Sequence, residues 1–216
     1  MCWSPTMHLA VFGATGQLGR HVTEQALARD WTVRAHVRTP DKLGPLADRV
    51  DVVAGDLADA DSIAAAVAGV DAVVSSVGHA RGQDPAVYGD GMRAIVAAMG
   101  AHGVRRLVAI SGAGLELPGD TTTLGRRIII TLLQLTARRV LEGKQREWAA
   151  LDGADVDWTL VRVARMVDRP ASGGVAVDLR AVSGSPMVAY PDVAAWMLDR
   201  AADAEHVHEA PFVSGG

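Results

Sequence analysis

Residues 12–20 read FGATGQLGR, and this glycine-rich stretch decides the fold of the chain. Its three glycines, Gly13, Gly16 and Gly19, stand three residues apart directly after the apolar run HLAVF at 8–12. The first glycine permits a tight turn, the second lets a ligand approach the backbone, and the third lets a helix pack close to a strand. The stretch therefore predicts a strand, a turn and a helix whose N-terminus attracts an anion.

Short apolar runs alternate with amphipathic segments along the rest of the chain. We predict strands at 8–12, 32–37, 50–56, 71–78, 105–112, 157–163, 174–179 and 208–214. We predict helical segments at 16–30, 40–47, 60–69, 88–103, 124–151 and 191–201. Because parallel strands need long crossover connections, this alternation indicates an α/β fold with a Rossmann-type doubly wound parallel sheet.

The composition is typical of one globular domain. The chain has 216 residues, of which 49% are apolar and 21% are charged. No linker divides it, so we predict a single domain over 1–216, with 1–6 as a loose extension. The net charge of −4 comes without a basic stripe for nucleic acid, and the apolar run at 128–135 is too short to cross a bilayer. One cysteine, and a start that does not read as a signal peptide, predict a cytoplasmic protein without an internal disulfide.

The glycine loop predicts that a dinucleotide is bound at the start of the first helix. The backbone amides of a helix N-terminus and its dipole suit a pyrophosphate. The alternative is a glycine-rich turn that binds nothing. The residues of the loop that we expect to bind the cofactor are Gly13, Thr15, Gly16, Gln17, Leu18 and Gly19.

The end of the second strand indicates which dinucleotide is bound. An NAD-dependent enzyme usually carries a carboxylate there, which binds the ribose 2′-hydroxyl. This chain has Arg38, Thr39 and Lys42, and its first carboxylate is Asp41. A guanidinium offers a planar set of donors and a fixed charge to a 2′-phosphate. We predict that Arg38 and Thr39 bind NADP(H), the alternative being an ordinary exposed arginine at a helix start.

Six motifs lie between residues 8 and 165: AVFGATGQLGR, VRTPDKL, VVAGDLAD, DAVVSSVG, RRLVAISG and DWTLVR. Together they resemble the atypical short-chain dehydrogenase/reductases, in the branch of small NAD(P)H-binding proteins similar to biliverdin reductase B and to NmrA-like proteins. The resemblance implies that Asp56 and Leu57 flank the adenine and that Ser111 lies near the nicotinamide. It also implies cofactor contacts for Ser75, Ser76, Val77, Gly78, Arg162 and Val163, the last standing where the family usually has proline.

The Tyr-x-x-x-Lys pair typical of this superfamily is missing. Neither Tyr88 nor Tyr190 has a lysine four residues later, and Val140 stands four residues before Lys144. The phenol that usually passes a proton is therefore absent from the pattern. Either another group handles the proton, or the acceptor is a conjugated molecule that needs little help, or no redox reaction occurs.

Ser111 and Lys144 are the candidate catalytic residues. Ser111 ends the fifth strand at the edge where such sheets bind ligands, although it could instead satisfy local backbone groups. Lys144 shares a helical face with Glu147, where a role in the pocket competes with a solvated surface pair. His79, in the loop after the fourth strand, is a further candidate acid or an exposed loop residue. The histidines lack metal-ligand spacing, and we expect no metal.

Two classes of function follow from these residues. The first is an NADPH-dependent reductase of a conjugated small molecule such as a flavin or a quinone. The second is a non-catalytic NADP(H) sensor, and a nucleotide-sugar or isoprenoid-type enzyme is a minor third. We expect a monomer or a homodimer with a small-molecule substrate. The apolar segment RRIIITLLQLTARR at 126–139 is predicted to pack over the pocket or against a second subunit.

Overall fold

The computed structural model describes residues 6–78, 84–121 and 124–216, without the side chains of 124–127, 129 and 133. The strands are β1 (His8–Phe12), β2 (Thr32–Val37), β3 (Asp51–Ala54), β4 (Ala72–Ser75), β5 (Arg106–Gly112), β6 (Asp157–Val163), β7 (Arg165–Val167), β8 (Val175–Asp178), β9 (Met187–Ala189) and β10 (Phe212–Gly215). The α-helices are α1 (Gln17–Ala28), α2 (Ala60–Val67), α3 (Ala86–His102), α4 (Leu124–Thr136), α5 (Arg138–Leu151) and α6 (Tyr190–Ala202). A 3-10 segment, Pro40–Arg49, connects β2 to β3.

Eight strands form one sheet in the order β3-β2-β1-β4-β5-β6-β10-β8. All neighbouring strands from β3 to β10 are parallel, and β8 runs antiparallel to β10 at the edge. The order reverses between β1 and β4, so the carboxyl ends of these two strands flank a crevice where such sheets bind ligands. The predicted Rossmann-type doubly wound sheet is confirmed.

Each face of the sheet is covered by its own apolar cluster. Leu9 and Val11 of β1 enter the cluster that includes α1 and α6. Ala10 and Phe12 enter the opposite cluster, which includes α2, α3 and α5. Because side chains alternate along a strand and both faces are buried, these strands read as continuous apolar runs.

The helical segment predicted over 124–151 is two helices, so the prediction of one helix is wrong. Ala137 separates α4 from α5 with φ −138° and ψ 30°. The Thr136 hydroxyl donates to the Leu132 carbonyl at 2.8 Å, a bond that bends helices. The helix is therefore interrupted at Ala137 without any glycine or proline at that point.

The apolar segment in α4 is only partly covered. Ile130 is buried, whereas Ile128, Leu132 and Leu135 are 62, 59 and 79% exposed. Contact of this face with a second subunit remains a prediction. None of the described helices combines the length and the apolar character needed to cross a bilayer.

Candidate cofactor and catalytic site

The turn between β1 and α1 has the geometry that its glycines predict. Gly13 has φ 81°, in the left-handed region, and its carbonyl accepts a hydrogen bond from Gly16 N at 2.9 Å. A side chain on Gly19 would collide with the carbonyl of Gly13 and would lie 2.7 Å from Ser76 Oγ. Glycine at both positions therefore lets α1 begin directly against the ends of β1 and β4.

The N-terminus of α1 is left open by the described side chains, none of which caps it. The first amides of an α-helix have no carbonyl partner within the helix. These amides and the helix dipole therefore favour an anion at this point, as a pyrophosphate-binding turn requires.

A cavity of about 360 Å³ opens beside this turn. It is formed by the loops that follow β1, β2, β3 and β4, together with the start of α3. The predicted cofactor-binding residues that line it are Gly13, Thr15, Gly16, Arg38, Thr39, Asp56, Leu57, Ser76, Val77 and Gly78. The structure thus brings together residues that lie as far as 65 positions apart in the chain; their contacts with a cofactor remain a prediction.

Four other predicted residues adjoin the cavity in the chain without lining it. Leu18 and Ser75 are each 4% exposed, so their side chains belong to the packed interior. Gly19 is buried against the turn, and Gln17 is exposed. Contacts of these four residues with a cofactor remain a prediction.

Two cations stand at the rim of the cavity. Arg38 and Lys42 both line it, both are exposed, and neither side chain has a hydrogen-bond or ion-pair partner in the described part of the chain. The guanidinium of Arg20, on α1, donates to the carbonyls of Lys42 and Leu43. This contact fastens the loop that carries both cations to the helix that begins at the glycine turn.

His36 lines the cavity and was not predicted from the sequence. It is 4% exposed, its Nε2 lies 2.9 Å from Ser62 Oγ, and its ring centroid lies 4.8 Å from that of Phe12. Burial lowers the pKa of His36, although nearby Asp59 acts in the opposite direction. The ring is therefore neutral near pH 7. Strand periodicity was the available signal, because His36 and Arg38 are two residues apart and share a face.

Other unpredicted residues complete the lining. Tyr88 is 3% exposed at the start of α3. It lines the cavity, although no lysine stands four residues after it in the chain. The remaining unpredicted lining residues are Val37, Lys42, Ala58 and Val87.

Ser111 and Lys144 come to the same place at the carboxyl end of β5. The side chain of Lys144 runs over Gly112, with Nζ 2.9 Å and Cε 3.0 Å from the position that a Cβ on Gly112 would take. Ser111, the preceding residue, is 3% exposed, and its Oγ has no hydrogen-bond partner among the described residues. The alternative in which this hydroxyl satisfies local backbone groups is therefore wrong within the described chain. Neither residue lines the cavity.

Lys144 and Glu147 do not form a solvated surface pair. Glu147 is 4% exposed, on the inward face of α5. Burial raises the pKa of Glu147 to about 7, and the charge of Lys144 opposes this shift. Burial also lowers the pKa of Lys144, and Glu147 opposes that shift. The two groups are electrostatically coupled in a water-poor environment.

Arg162 holds loops together at the end of β6. It is 1% exposed, and its guanidinium donates to the Asp120 carboxylate at 2.7 Å. It also donates to the carbonyls of Ala210 at 2.7 Å, and of Leu115 and Leu179 at 3.2 Å each. Its contact with the cofactor remains a prediction, and it lies outside the cavity lining. The contacts in the structure fasten the segment after β5 and the end of β8 to the sheet.

Val163 also lies outside the cavity lining, with 5% of its surface exposed. Its carbonyl accepts a hydrogen bond from Ala113 N at 2.9 Å, which fixes the start of the segment after β5. Its cofactor contact remains a prediction as well. His79 lies outside the described residues.

The profile of the NAD(P)H-binding family matches residues 13–204. The chain belongs to the NAD(P)H-binding family. A relative from Streptomyces griseus, (4-alkanoyl-5-oxo-2,5-dihydrofuran-3-yl)methyl phosphate reductase, is 30% identical over an alignment of 214 residues that covers 96% of this chain and 67% of the relative. The family match and this reductase together identify the chain as an NAD(P)H-dependent oxidoreductase.

Solved structures share the fold across nearly the whole chain. A short-chain dehydrogenase/reductase from Veillonella parvula, in complex with NADP, has a TM-score of 0.80 and 20% identity, over 97% of this chain and 95% of that one. ChuY, an anaerobillin reductase from Escherichia coli O157:H7, has a TM-score of 0.79 and 21% identity, over 96% of both chains. The expected NAD(P)H-binding family is confirmed, and these solved structures share the fold. The resemblance to the atypical short-chain dehydrogenase/reductases remains a prediction.

Proposed function

We propose that the protein is an NADPH-dependent reductase of a conjugated small molecule, such as a flavin, a quinone or an unsaturated carbonyl compound. The observation that carries the proposal is the pairing of an open helix N-terminus with unpartnered Arg38 at one cavity. The first suits a pyrophosphate, and the second suits the additional phosphate of NADP. In this proposal the protein is cytoplasmic and acts as a monomer or a homodimer.

The residues present fit NADPH. The first-turn amides of α1 would hold the pyrophosphate, and Arg38 with Lys42 would hold the 2′-phosphate. Asp56 and Leu57 would border the adenine. A Cβ at Gly19 would overlap the turn itself, so the cradle requires glycine there. The Veillonella parvula protein of the same fold is described in complex with NADP, which supports this choice.

Ser111 and Lys144 would assist the reaction at the carboxyl end of β5. Bound NADPH supplies a hydride from C4 of its nicotinamide. Hydride addition to one end of a conjugated system leaves negative charge on the carbonyl oxygen at the other end. The Ser111 hydroxyl, which has no partner among the described residues, would donate to that oxygen, and the Lys144 ammonium would supply the proton. With Ser111 donating the hydrogen bond and Lys144 supplying the proton, the reaction needs no tyrosine.

The relative from Streptomyces griseus supports an acceptor of this kind. Its name describes an unsaturated lactone, in which a carbonyl is conjugated to a carbon–carbon double bond. A conjugated carbonyl compound is therefore the first acceptor to test, beside flavins and quinones.

Oxidation of NADPH, followed by loss of the absorbance of the reduced nicotinamide, tests the proposal. A panel of flavins, quinones and unsaturated lactones serves as acceptors, and NADH is the matched control cofactor. We expect turnover with NADPH to exceed turnover with NADH. Failure with every acceptor, together with unequal affinity for NADPH and NADP⁺, would contradict a reductase and identify a redox sensor instead.

A further inference from the structure

Glu147 is a buried carboxyl group to which the proposed reaction assigns no role. It lies with Gly143 and Leu151 on the inward face of α5, and it is 4% exposed. Its Oε2 atom has no hydrogen-bond partner among the described residues. A buried carboxyl without a partner destabilises a fold, so its presence beside a candidate active site calls for a functional explanation.

The charge that acts on the ionisation of Glu147 is on Lys144. The two residues are three positions apart on one helix, a spacing that places side chains side by side. The Lys144 amine lies over Gly112, next in the chain to Ser111 and its unpartnered hydroxyl. A hydroxyl, an amine and a carboxyl are therefore clustered near the end of β5.

The charged groups of α3, the helix packed against α5, do not compensate Glu147. Asp90 and Arg93 form an exposed ion pair with each other. His102 is exposed at the C-terminal end of the helix. Tyr88 is buried at the other end, in the cavity wall.

The charged groups of α5 and α4 do not compensate Glu147 either. On α5 itself, Arg138 and Glu142 pair at the surface, and Arg146 is exposed with its Cβ against Gly89. The described side chains of α4 carry no charge. Lys144 is thus the charged neighbour that alters the ionisation of Glu147.

We propose that Glu147 is a positioning residue for Lys144, and that its ionisation sets the net charge that meets the substrate. The inference rests on the proposed function, in which Lys144 donates the proton. With the carboxyl protonated, the ammonium charge is uncompensated and stabilises the negative oxygen that hydride addition creates. With the carboxylate formed, the ammonium charge is compensated and its proton is held more tightly. Solvent returns the proton that Lys144 gives to the substrate.

If Glu147 acts in this way, kcat depends on pH. Burial raises the pKa of Glu147 to about 7. The value of kcat for the wild-type protein should therefore fall as the pH rises through about 7, because the carboxylate then forms.

Glu147→Gln keeps the size of the side chain and removes its ionisation. This variant should keep the low-pH value of kcat through pH 7 and lose activity only where Lys144 deprotonates. Glu142→Gln, which changes a surface carboxyl five residues earlier on the same helix, is the matched control and should titrate like the wild type. The inference would be overturned if kcat of Glu147→Gln still fell near pH 7. It would also be overturned if this variant lost the same fraction of the wild-type kcat at every pH.

A second measurement needs no turnover. Titration of the Glu147 carboxyl carbon by NMR should give a higher pKa in Lys144→Met than in the wild type, because the favourable charge is gone. An unchanged pKa overturns the inference, whatever the activity. A wild-type protein that oxidises no NADPH contradicts the proposed function, whereas the titration then still decides whether Glu147 and Lys144 are coupled.

Discussion

The Asp120 carboxylate lies 2.7 Å from the Arg162 guanidinium, and their side chains are only 7% and 2% exposed. This buried ion pair joins the segment after β5 to the end of β6. It therefore holds the described part of that segment, which follows Ser111 and the end of β5, against the sheet. Each charge depends on the other, because a buried charge that loses its partner is strongly destabilising.

Asp120→Asn should lower the free energy of unfolding by about 3–5 kcal/mol, since it leaves the Arg162 charge buried with a neutral partner. Chemical denaturation measures the difference. Asp155→Asn is the matched control: it changes a carboxylate that is 95% exposed and pairs with Arg105 at the surface. Its effect should be small. Equal stability of Asp120→Asn and the wild type would show that the pair does not hold this segment.

Arg38→Ala should weaken the binding of NADPH about 10- to 100-fold and leave that of NADH unchanged, because only NADPH carries the phosphate that a free guanidinium would meet. Calorimetry with both cofactors measures the two affinities. Arg49→Ala is the control, since Arg49 is an exposed cation in the 3-10 segment that follows Arg38 but lies outside the cavity lining. A parallel loss for both cofactors would place Arg38 away from the 2′-phosphate.

The sheet was predictable because its first five strands, β1 to β5, are short apolar runs that are each followed by a helical segment. The glycine loop was predictable because glycines at this spacing allow a tight turn and the close packing of a helix on a strand. Gly13 and Gly19 have the geometry that this turn requires. β7 and β9 were missed because runs of three residues carry no measurable periodicity. The break at Ala137 was missed because no glycine or proline marks it.

The burial of Glu147 was not predictable from the sequence. A glutamate on an amphipathic helix is usually solvated, and Gly143 and Leu151 are the other residues of α5 that are fully buried. Which face turns inward depends on the packing of α5 against α3, which no local pattern encodes. The position of His36 in the cavity wall was easier to predict, because His36 lies two residues before Arg38 and side chains two apart in extended chain share a face.

Gly19→Ala should abolish tight NADPH binding and destabilise the protein, because its Cβ would overlap the Gly13 carbonyl and push α1 away from the turn. Gly100→Ala is the matched control in a helix, where a Cβ meets open space. That change should stabilise the protein by about 0.5–1 kcal/mol, since alanine has the higher helix propensity. Thermal unfolding and calorimetry measure both effects. Normal NADPH affinity in Gly19→Ala would mean that the cofactor binds elsewhere.

Glu147 should also make stability depend on pH. Its pKa is about 7 in the folded protein and 4.5 ordinarily, so the folded state holds the proton more tightly than the unfolded state. The stabilisation is therefore complete below pH 4.5 and is lost as the pH rises to about 7, by about 3 kcal/mol in all. Glu147→Gln lacks this loss, so denaturation at several pH values should show its free energy of unfolding rising relative to the wild type over that window. Parallel curves for the two proteins would mean that the carboxyl is solvated, and would also remove the physical basis for its coupling to Lys144.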